Sequence, residues 1–442
     1  MIMKELFAMN GVPCSCGKVH HFSSKIISGS GTIKQIADAV IELGTAMPYI
    51  ISDKNTFTAA GAEVCRLLDE KNISYSSFIF DKDRLEPDEA TLGAAMMHFN
   101  TKCDVIIAVG SGVINDTAKL VSTYMKLPMI VVATAPSMDG YASMSASMTM
   151  DGLKTSISCR CADIIIGDTD ILSKAPLKML LSGVGDMLAK YVSICEWRIA
   201  AKICGEYYCE KIAELIRNAL KVILSSADAL LTRDADAVQA VFDGLSIGSV
   251  AMNYAGISRP ASGVEHYISH ILDMRAISFG TDAELHGIQC AIGTRIAIML
   301  YERLKTITPN KDSALKYVSE FKLEKWNDEL RSLLGDSASS MIALEKSEKK
   351  YDRQKHSERI QKILGSWDEI LCIIKEELPS LKKIDEIFDR LNLPKTVDEI
   401  GIDADIVPAV FKATKDIRDK YVLSRLLWDI GLIDEFAKSI NK

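Results

Sequence analysis

The chain has 442 residues, 48% hydrophobic and 25% charged, with a net charge of −7. This is ordinary globular composition, long enough for about two or three domains. The acidic balance and a pI near 5.7 argue against a nucleic-acid scaffold, and no run of about eighteen apolar residues offers a membrane span.

The N-terminus, MIMKELFAMNGVPCSCGK, lacks the continuous apolar segment and small-residue cleavage site of a secretory signal. The eleven cysteines, an odd number scattered along a long chain, fit reduced thiols in a cytoplasm better than a disulfide framework. Within CSCGKVHH, the spacing of Cys14, Cys16 and His20 could make part of a metal knuckle. Only one sulfur pair is present there, so a turn with incidental thiols is the reading the sequence favours. Up to about residue 170, apolar runs alternate with helical patterns: PYIISD (48–53), SSFIF (76–80), DVIIAVG (104–110), PMIVVAT (128–134) and ADIIIGD (162–168). Continuous apolar strands separated by helices predict a parallel sheet covered on both faces, with ligands beyond the strands' carboxyl ends.

The glycine loop falls at such an end. Gly110, Ser111 and Gly112 follow a buried strand, and a helix opens around Asp116 to Lys119. Backbone N–H groups at a helix N-terminus attract phosphate oxygens, and glycine lets a pyrophosphate approach. The loop departs from the usual dinucleotide fingerprint, because Asn115 stands where a third glycine would fall. One strand later, ATAPSMDGYASMSAS (133–147) gathers hydroxyls and the carboxylate of Asp139.

From about Pro176 the pattern turns helical, with three- and four-residue apolar spacing over 186–199, 207–224, 235–254 and 283–304. Asp186 stands in LLSGVGDMLAKYV, a run too apolar to leave a carboxylate without a partner. His266 and His270 share one helix face, and His286 opens the next helix. Asp186, His266 and His286 can supply three ligands to a divalent metal and leave positions open for substrate. Together with the phosphate loop they suggest a metal-assisted, nicotinamide-dependent redox enzyme. The segment 343–364 is dense in both signs of charge and reads as a solvated helix or mobile excursion.

The ordered motifs GSGVINDTAK, TAPSMDGYAS, DTDIL, SGVGDMLAKY, SRPASGVEHYISH and LHGIQCAIG resemble the glycerol-1-phosphate dehydrogenase branch of the iron-containing alcohol dehydrogenase and dehydroquinate synthase-like superfamily. Bacterial arabinose-operon-type members are the nearest in pattern. The resemblance covers roughly residues 25–300 and is looser beyond. It implies an α/β fold: a Rossmann-like N-terminal domain (1–172), an all-helical C-terminal domain (173–442), and an active site in the cleft between them. By motif, Asp186, His266 and His286 would hold the metal, with zinc first and nickel or iron as alternatives. Gly110, Ser111, Gly112 and Asp116 would lie at the cofactor, Thr134 and Ser143 would line its nicotinamide side, and Asp139 would meet a substrate hydroxyl. Asp53, ending a strand, would meet the adenosine ribose and favour NAD over NADP, although the family uses both.

The implied reaction is hydride transfer at C2, interconverting dihydroxyacetone phosphate and sn-glycerol 1-phosphate. His270 could relay a proton or only shape the pocket, and Arg259 is the candidate for the substrate phosphate. The partner expected is a small triose phosphate, with no nucleic acid and no membrane span, on a cytoplasmic homo-oligomer, dimer or larger. Rival readings are a glycerol dehydrogenase on unphosphorylated triols, a dehydroquinate synthase-like lyase, and a non-catalytic relative. For the lyase, the resemblance predicts glutamate where Asp186 stands.

Overall fold

The computed structural model describes residues 2–82, 84–151 and 153–441. The chain divides into two compact units: Met1–Met187 with Glu214–Gly256, and Leu188–Ala213 with Ile257–Lys442.

In the first unit, β1 (Lys25–Gly29), β2 (Pro48–Asp53), β3 (Ser76–Phe80), β4 (Val105–Gly110), β5 (Met129–Ala133) and β8 (Ile164–Asp168) form a parallel sheet. Its order is β1-β8-β5-β4-β2-β3. Every residue of β4 is buried. Val105, Ile107 and Val109 enter one core with Ile36, Val40, Val64 and Leu68, while Ile106 and Ala108 between them are equally inaccessible. Burial on both faces is why these strands read as unbroken apolar runs rather than alternations. Each such Val or Ile contributes about 1.5–3 kcal/mol over its exposed state.

From β2 the chain steps outward to β3; from β4 it steps the opposite way to β5. The β2/β4 boundary is therefore the topological switch point, where open α/β sheets bind ligands beyond their carboxyl ends. Asp53 and Gly110 are the last residues of those two strands.

The sequence did not signal β1 or the antiparallel hairpin of β6 (Ser145–Met150) and β7 (Leu153–Ser158). The β6 run, SASMTM, is serine- and threonine-rich, and only Ala146 and Met148 alternate inward, against Leu120 and Cys159. Two small apolar anchors make a weak period-two signal.

The second unit is built of helices joined by turns and loops, with no strand among its described residues. Its central pair is Val264–Phe279 and His286–Leu304. Gly293 permits their close approach, since a Cβ there would lie 2.7 Å from the Glu265 carbonyl oxygen.

The charged segment 343–364 is neither a fully solvated helix nor an excursion, contrary to the sequence expectation. It falls on helices Ala338–Glu348 and Arg353–Gly365 and turns one face inward. His356 is buried with Nε2 2.8 Å from the Asp429 carbonyl, and Arg359 grips the Asp429 carboxylate with two nitrogens at 2.8 Å. Lys350 donates to the carbonyls of Asp416 and Arg418. Lys350 and Arg359 are paired with acceptors more than sixty residues away in sequence, so local patterning could not reveal them.

Candidate active site

At the sheet end of the first unit, Gly110 must be glycine for packing: an added Cβ would stand 2.5 Å from the Ile114 Cβ. Ser111 follows with extended backbone as the N-cap of helix Gly112–Met125, whose first N–H groups have no intrahelical acceptor. The Ser111 hydroxyl lies 2.6 Å from that of Ser137, tying the glycine loop to segment 133–147. Thr134 donates its N–H to the Gly110 carbonyl, one step past the end of β5. Asp53 caps helix Lys54–Thr56, accepting from the Thr56 N–H at 2.8 Å.

Two candidates point into the protein rather than away from it. Asp116 accepts from the Ser147 N–H at 3.0 Å and from Asn115 at 3.1 Å. Burial pushes its carboxyl up, opposed by the Lys119 ammonium 3.5 Å away. Ser143 gives its hydroxyl to loop carbonyls and accepts from Lys119 Nζ at 2.8 Å. Lys119 itself was not singled out in the sequence. It is fully buried, and its ammonium also donates to the carbonyls of Gly140 and Ser145. It fixes the loop that carries Asp139.

Asp139 and Asp186, forty-seven residues apart, meet: the Asp139 N–H donates to Asp186 Oδ2 at 2.9 Å. Asp186 is completely buried. The local sequence explains the contact. Ser182, Gly183 and Asp186 share one face of helix Leu177–Leu188. Ser182 Oγ donates to the Ser137 carbonyl at 3.0 Å, and a Cβ on Gly183 would come within 1.9 Å of the Pro136 oxygen. Glycine thus lets the helix touch the loop backbone, and the carboxylate one turn on receives the Asp139 N–H. The Asp139 carbonyl accepts from Ser249.

In the second unit, two imidazoles are held in defined tautomers. His266 Nδ1 is 2.9 Å from Glu265 Oε1, an oxygen that also accepts from the Gly263 N–H. A carboxylate only accepts, so Nδ1 carries the proton and Nε2 presents a lone pair. For His286 the chain of donors is longer. Asp273 accepts from Gln289 Nε2 at 3.1 Å, which turns Gln289 Oε1 toward Ser269; the Ser269 hydroxyl donates there at 2.8 Å. Ser269 can then only accept from His286 Nδ1, 2.9 Å away, and again Nε2 is left as the lone-pair nitrogen.

The rings of His266 and His286 lie 5.1 Å apart, and His270 stacks on His286 at 5.7 Å. Cys290, one turn after His286, is not among the candidates that the sequence offers. Its sulfur is 3.5 Å from His286 Nε2. Donor atoms of His266, His286 and Cys290 all lie within 4.8 Å of one another. A divalent ion with bonds of about 2.0–2.3 Å fits such a nitrogen and sulfur set.

Behind these helices, Glu196 accepts from the N–H groups of Val264 and Leu423. Burial and the nearby Glu265 push its carboxyl up to about 8. Arg259 is nearly inaccessible and spends its donors on Glu206, at 2.6 and 2.5 Å, and on the Tyr421 carbonyl at 2.8 Å. A phosphate at Arg259 would therefore compete with an existing bidentate pair. Lys420 donates to the Ser258 and Ser262 carbonyls of the same loop, and burial with Arg259 and Arg418 nearby lowers its pKa to about 7.

Comparison with known proteins places these features in a family. The iron-containing alcohol dehydrogenase family matches residues 27–176. Glycerol-1-phosphate dehydrogenase (NAD(P)+) of Bacillus licheniformis is 27% identical over 425 residues, 95% of this chain and 93% of that protein. The Methanosarcina mazei protein of the same name is 35% identical over 279 residues, 62% of this chain and 76% of its own length. Among solved structures, glycerol dehydrogenase from Schizosaccharomyces pombe has the same fold, with a TM-score of 0.61 at 16% identity over 96% of this chain and 92% of that one. An iron-containing alcohol dehydrogenase from Thermococcus thioreducens gives 0.60 at 14% identity over 95% and 99%. The chain belongs to the glycerol-1-phosphate dehydrogenase family of the iron-containing alcohol dehydrogenase superfamily.

Proposed function

We propose that this protein interconverts dihydroxyacetone phosphate and sn-glycerol 1-phosphate by hydride transfer at C2, using NAD or NADP and one divalent metal held by Asp186, His266 and His286. The observation that carries the reading is the pair of imidazoles whose Nδ1 atoms are engaged by Glu265 and Ser269, with donor atoms of His266, His286 and Cys290 within 4.8 Å of one another. Such carboxylate and hydroxyl partners are typical of histidines that ligate metals. The names of the relatives supply the substrate. A metal there would polarise the C2 oxygen and lower the cost of negative charge on it. Imidazole donors with a thiol nearby favour zinc; nickel and iron are the other outcomes of metal analysis.

The remaining roles follow from position. The N–H groups opening helix Gly112–Met125 bind the pyrophosphate, with Gly110, Ser111 and Gly112 giving access. Asp53, across the switch point on β2, meets the ribose hydroxyls, which favours NAD. Thr134 lines the nicotinamide side, with Ser143 and Asp116 holding the loop beneath it. Asp139 orients a substrate hydroxyl, and His270 carries the proton to or from C2 oxygen. The phosphate goes to Lys420, whose ammonium lies beside Arg259 and Arg418: the nearby cations that disfavour its charge are offset by a bound dianion. The division of labour is residues 1–172 for the dinucleotide and 173–442 for metal and substrate. A homo-oligomer in the cytoplasm is part of the proposal; no disulfide joins any of the eleven cysteines, and no helix among the described residues is long and apolar enough to cross a membrane.

The test is NADH oxidation with dihydroxyacetone phosphate and, separately, with dihydroxyacetone, followed by chiral analysis of the product. Preference for the phosphorylated substrate with formation of sn-glycerol 1-phosphate is expected. The sn-glycerol 3-phosphate enantiomer, or preference for the unphosphorylated triose, would overturn it.

A further inference from the structure

The N-terminal segment holds a second cluster of soft donors that the proposed reaction does not use. Cys14, Cys16 and His20 bring two sulfurs and one ring nitrogen within 4.8 Å of one another. We propose that these three residues form a metal knuckle that takes one thiophilic divalent cation, zinc in class, and cross-links the two arms of the N-terminal turn.

The backbone is folded as a knuckle requires. The Cys14 N–H donates to the Lys18 carbonyl at 2.8 Å and the Gly17 N–H to the Cys14 carbonyl at 3.0 Å. Gly17 sits at φ 85°, a left-handed conformation that glycine adopts without strain. The chain thereby reverses between the cysteines and the histidine, and Pro13 and Val19 face each other across an antiparallel bridge.

The histidine is oriented as a ligand. Its Nδ1 lies 2.9 Å from the Tyr254 carbonyl. A carbonyl only accepts, so Nδ1 carries the proton and Nε2 turns a lone pair toward Cys16 Sγ, 3.5 Å away. Zinc bonds of about 2.3 Å to sulfur and about 2.0–2.1 Å to nitrogen, at a tetrahedral angle, place two such atoms about 3.6 Å apart. The observed separation matches that edge. His20 is buried, while both cysteines remain partly accessible, so an ion has an entry path.

What the ion would hold is also defined. Tyr254 lies in the last turn of helix Ala235–Ala255; its hydroxyl donates to the Leu6 carbonyl at 2.9 Å and its ring packs on His20 at 5.4 Å. The segment from Leu6 to His20 is fastened to this helix end by a few polar contacts. A bound cation would cross-link the two arms of the turn and convert binding energy into local stability.

The experiment uses the full-length protein and zinc. Metal analysis of wild type, C14S/C16S and H286A should show one equivalent of zinc fewer in C14S/C16S, with NADH turnover retained, while H286A keeps the knuckle's equivalent. On wild type alone, iodoacetamide alkylation of Cys14 and Cys16, followed by peptide mass spectrometry, should slow about tenfold or more when zinc is added to chelator-treated protein, because a bound thiolate is withdrawn as a nucleophile. Cobalt in place of zinc should give thiolate-to-cobalt absorption in C290A protein, and the added C14S/C16S substitutions should abolish it. Unchanged zinc content in C14S/C16S, or equal alkylation rates with and without zinc, would overturn the proposal and reduce the cluster to a hydrogen-bonded thiol turn.

Discussion

The two units prepare their polar groups in different ways. In the sheet unit, candidate residues at the strand ends are committed to backbone: Asp53 caps a helix, Ser143 and Lys119 bind loop carbonyls, and the Asp139 N–H meets Asp186. In the helical unit, the imidazoles are oriented by other side chains, Glu265 for His266 and Ser269, Gln289 and Asp273 for His286. The first arrangement shapes a loop; the second sets which ring nitrogen carries a proton. Backbone-anchored loops suit recognition of a cofactor's outline, and side-chain relays suit ligand chemistry, where a wrong tautomer removes the donor.

That contrast can be broken by substitution. Replacing His286 by alanine should empty the metal site and lower kcat/KM for dihydroxyacetone phosphate by about 10³-fold or more; metal analysis and steady-state kinetics on one preparation check it. Gly183→Ala attacks the loop side: its Cβ has no room against Pro136, so the helix must shift, at about 1–3 kcal/mol of stability read from denaturant midpoints. Ser269→Ala leaves both histidines in place but frees the His286 tautomer, and metal affinity should fall about 10–100-fold in a competitive chelator titration. A loss no larger than that of an exposed serine would show that the relay does not matter.

The smallest effect concerns pH. Lys420, with its pKa lowered to about 7, is charged below that value and neutral above it. Catalytic efficiency toward dihydroxyacetone phosphate should therefore decline as pH rises through about 7, while that toward dihydroxyacetone stays flat across the same step. Lys420→Met should remove the difference. Arg259→Gln, by contrast, leaves Glu206 unpaired and should act mainly on stability.

Much of this was legible in the sequence where a local signal existed. The apolar strands announced the sheet, and a carboxylate in LLSGVGDML announced a partnered Asp186. The hairpin β6–β7 was not legible because serine and threonine supply little contrast between its faces. Cys290 was hidden because a buried cysteine in a helix normally packs as a small hydrophobe. Lys119 was hidden because its acceptors lie more than twenty residues downstream, and the pairing of Arg259 because Glu206 lies fifty-three residues upstream. Chemistry made by long-range partners leaves no local period to read.

The most direct test of the central claim is metal add-back. Chelator-treated wild type should lose NADH oxidation with dihydroxyacetone phosphate and recover it when zinc, nickel or iron is restored, whereas H266A and H286A treated identically should recover nothing. Full turnover by the chelated wild type, or recovery in either histidine variant, would contradict a metal held by Asp186 and the two oriented imidazoles.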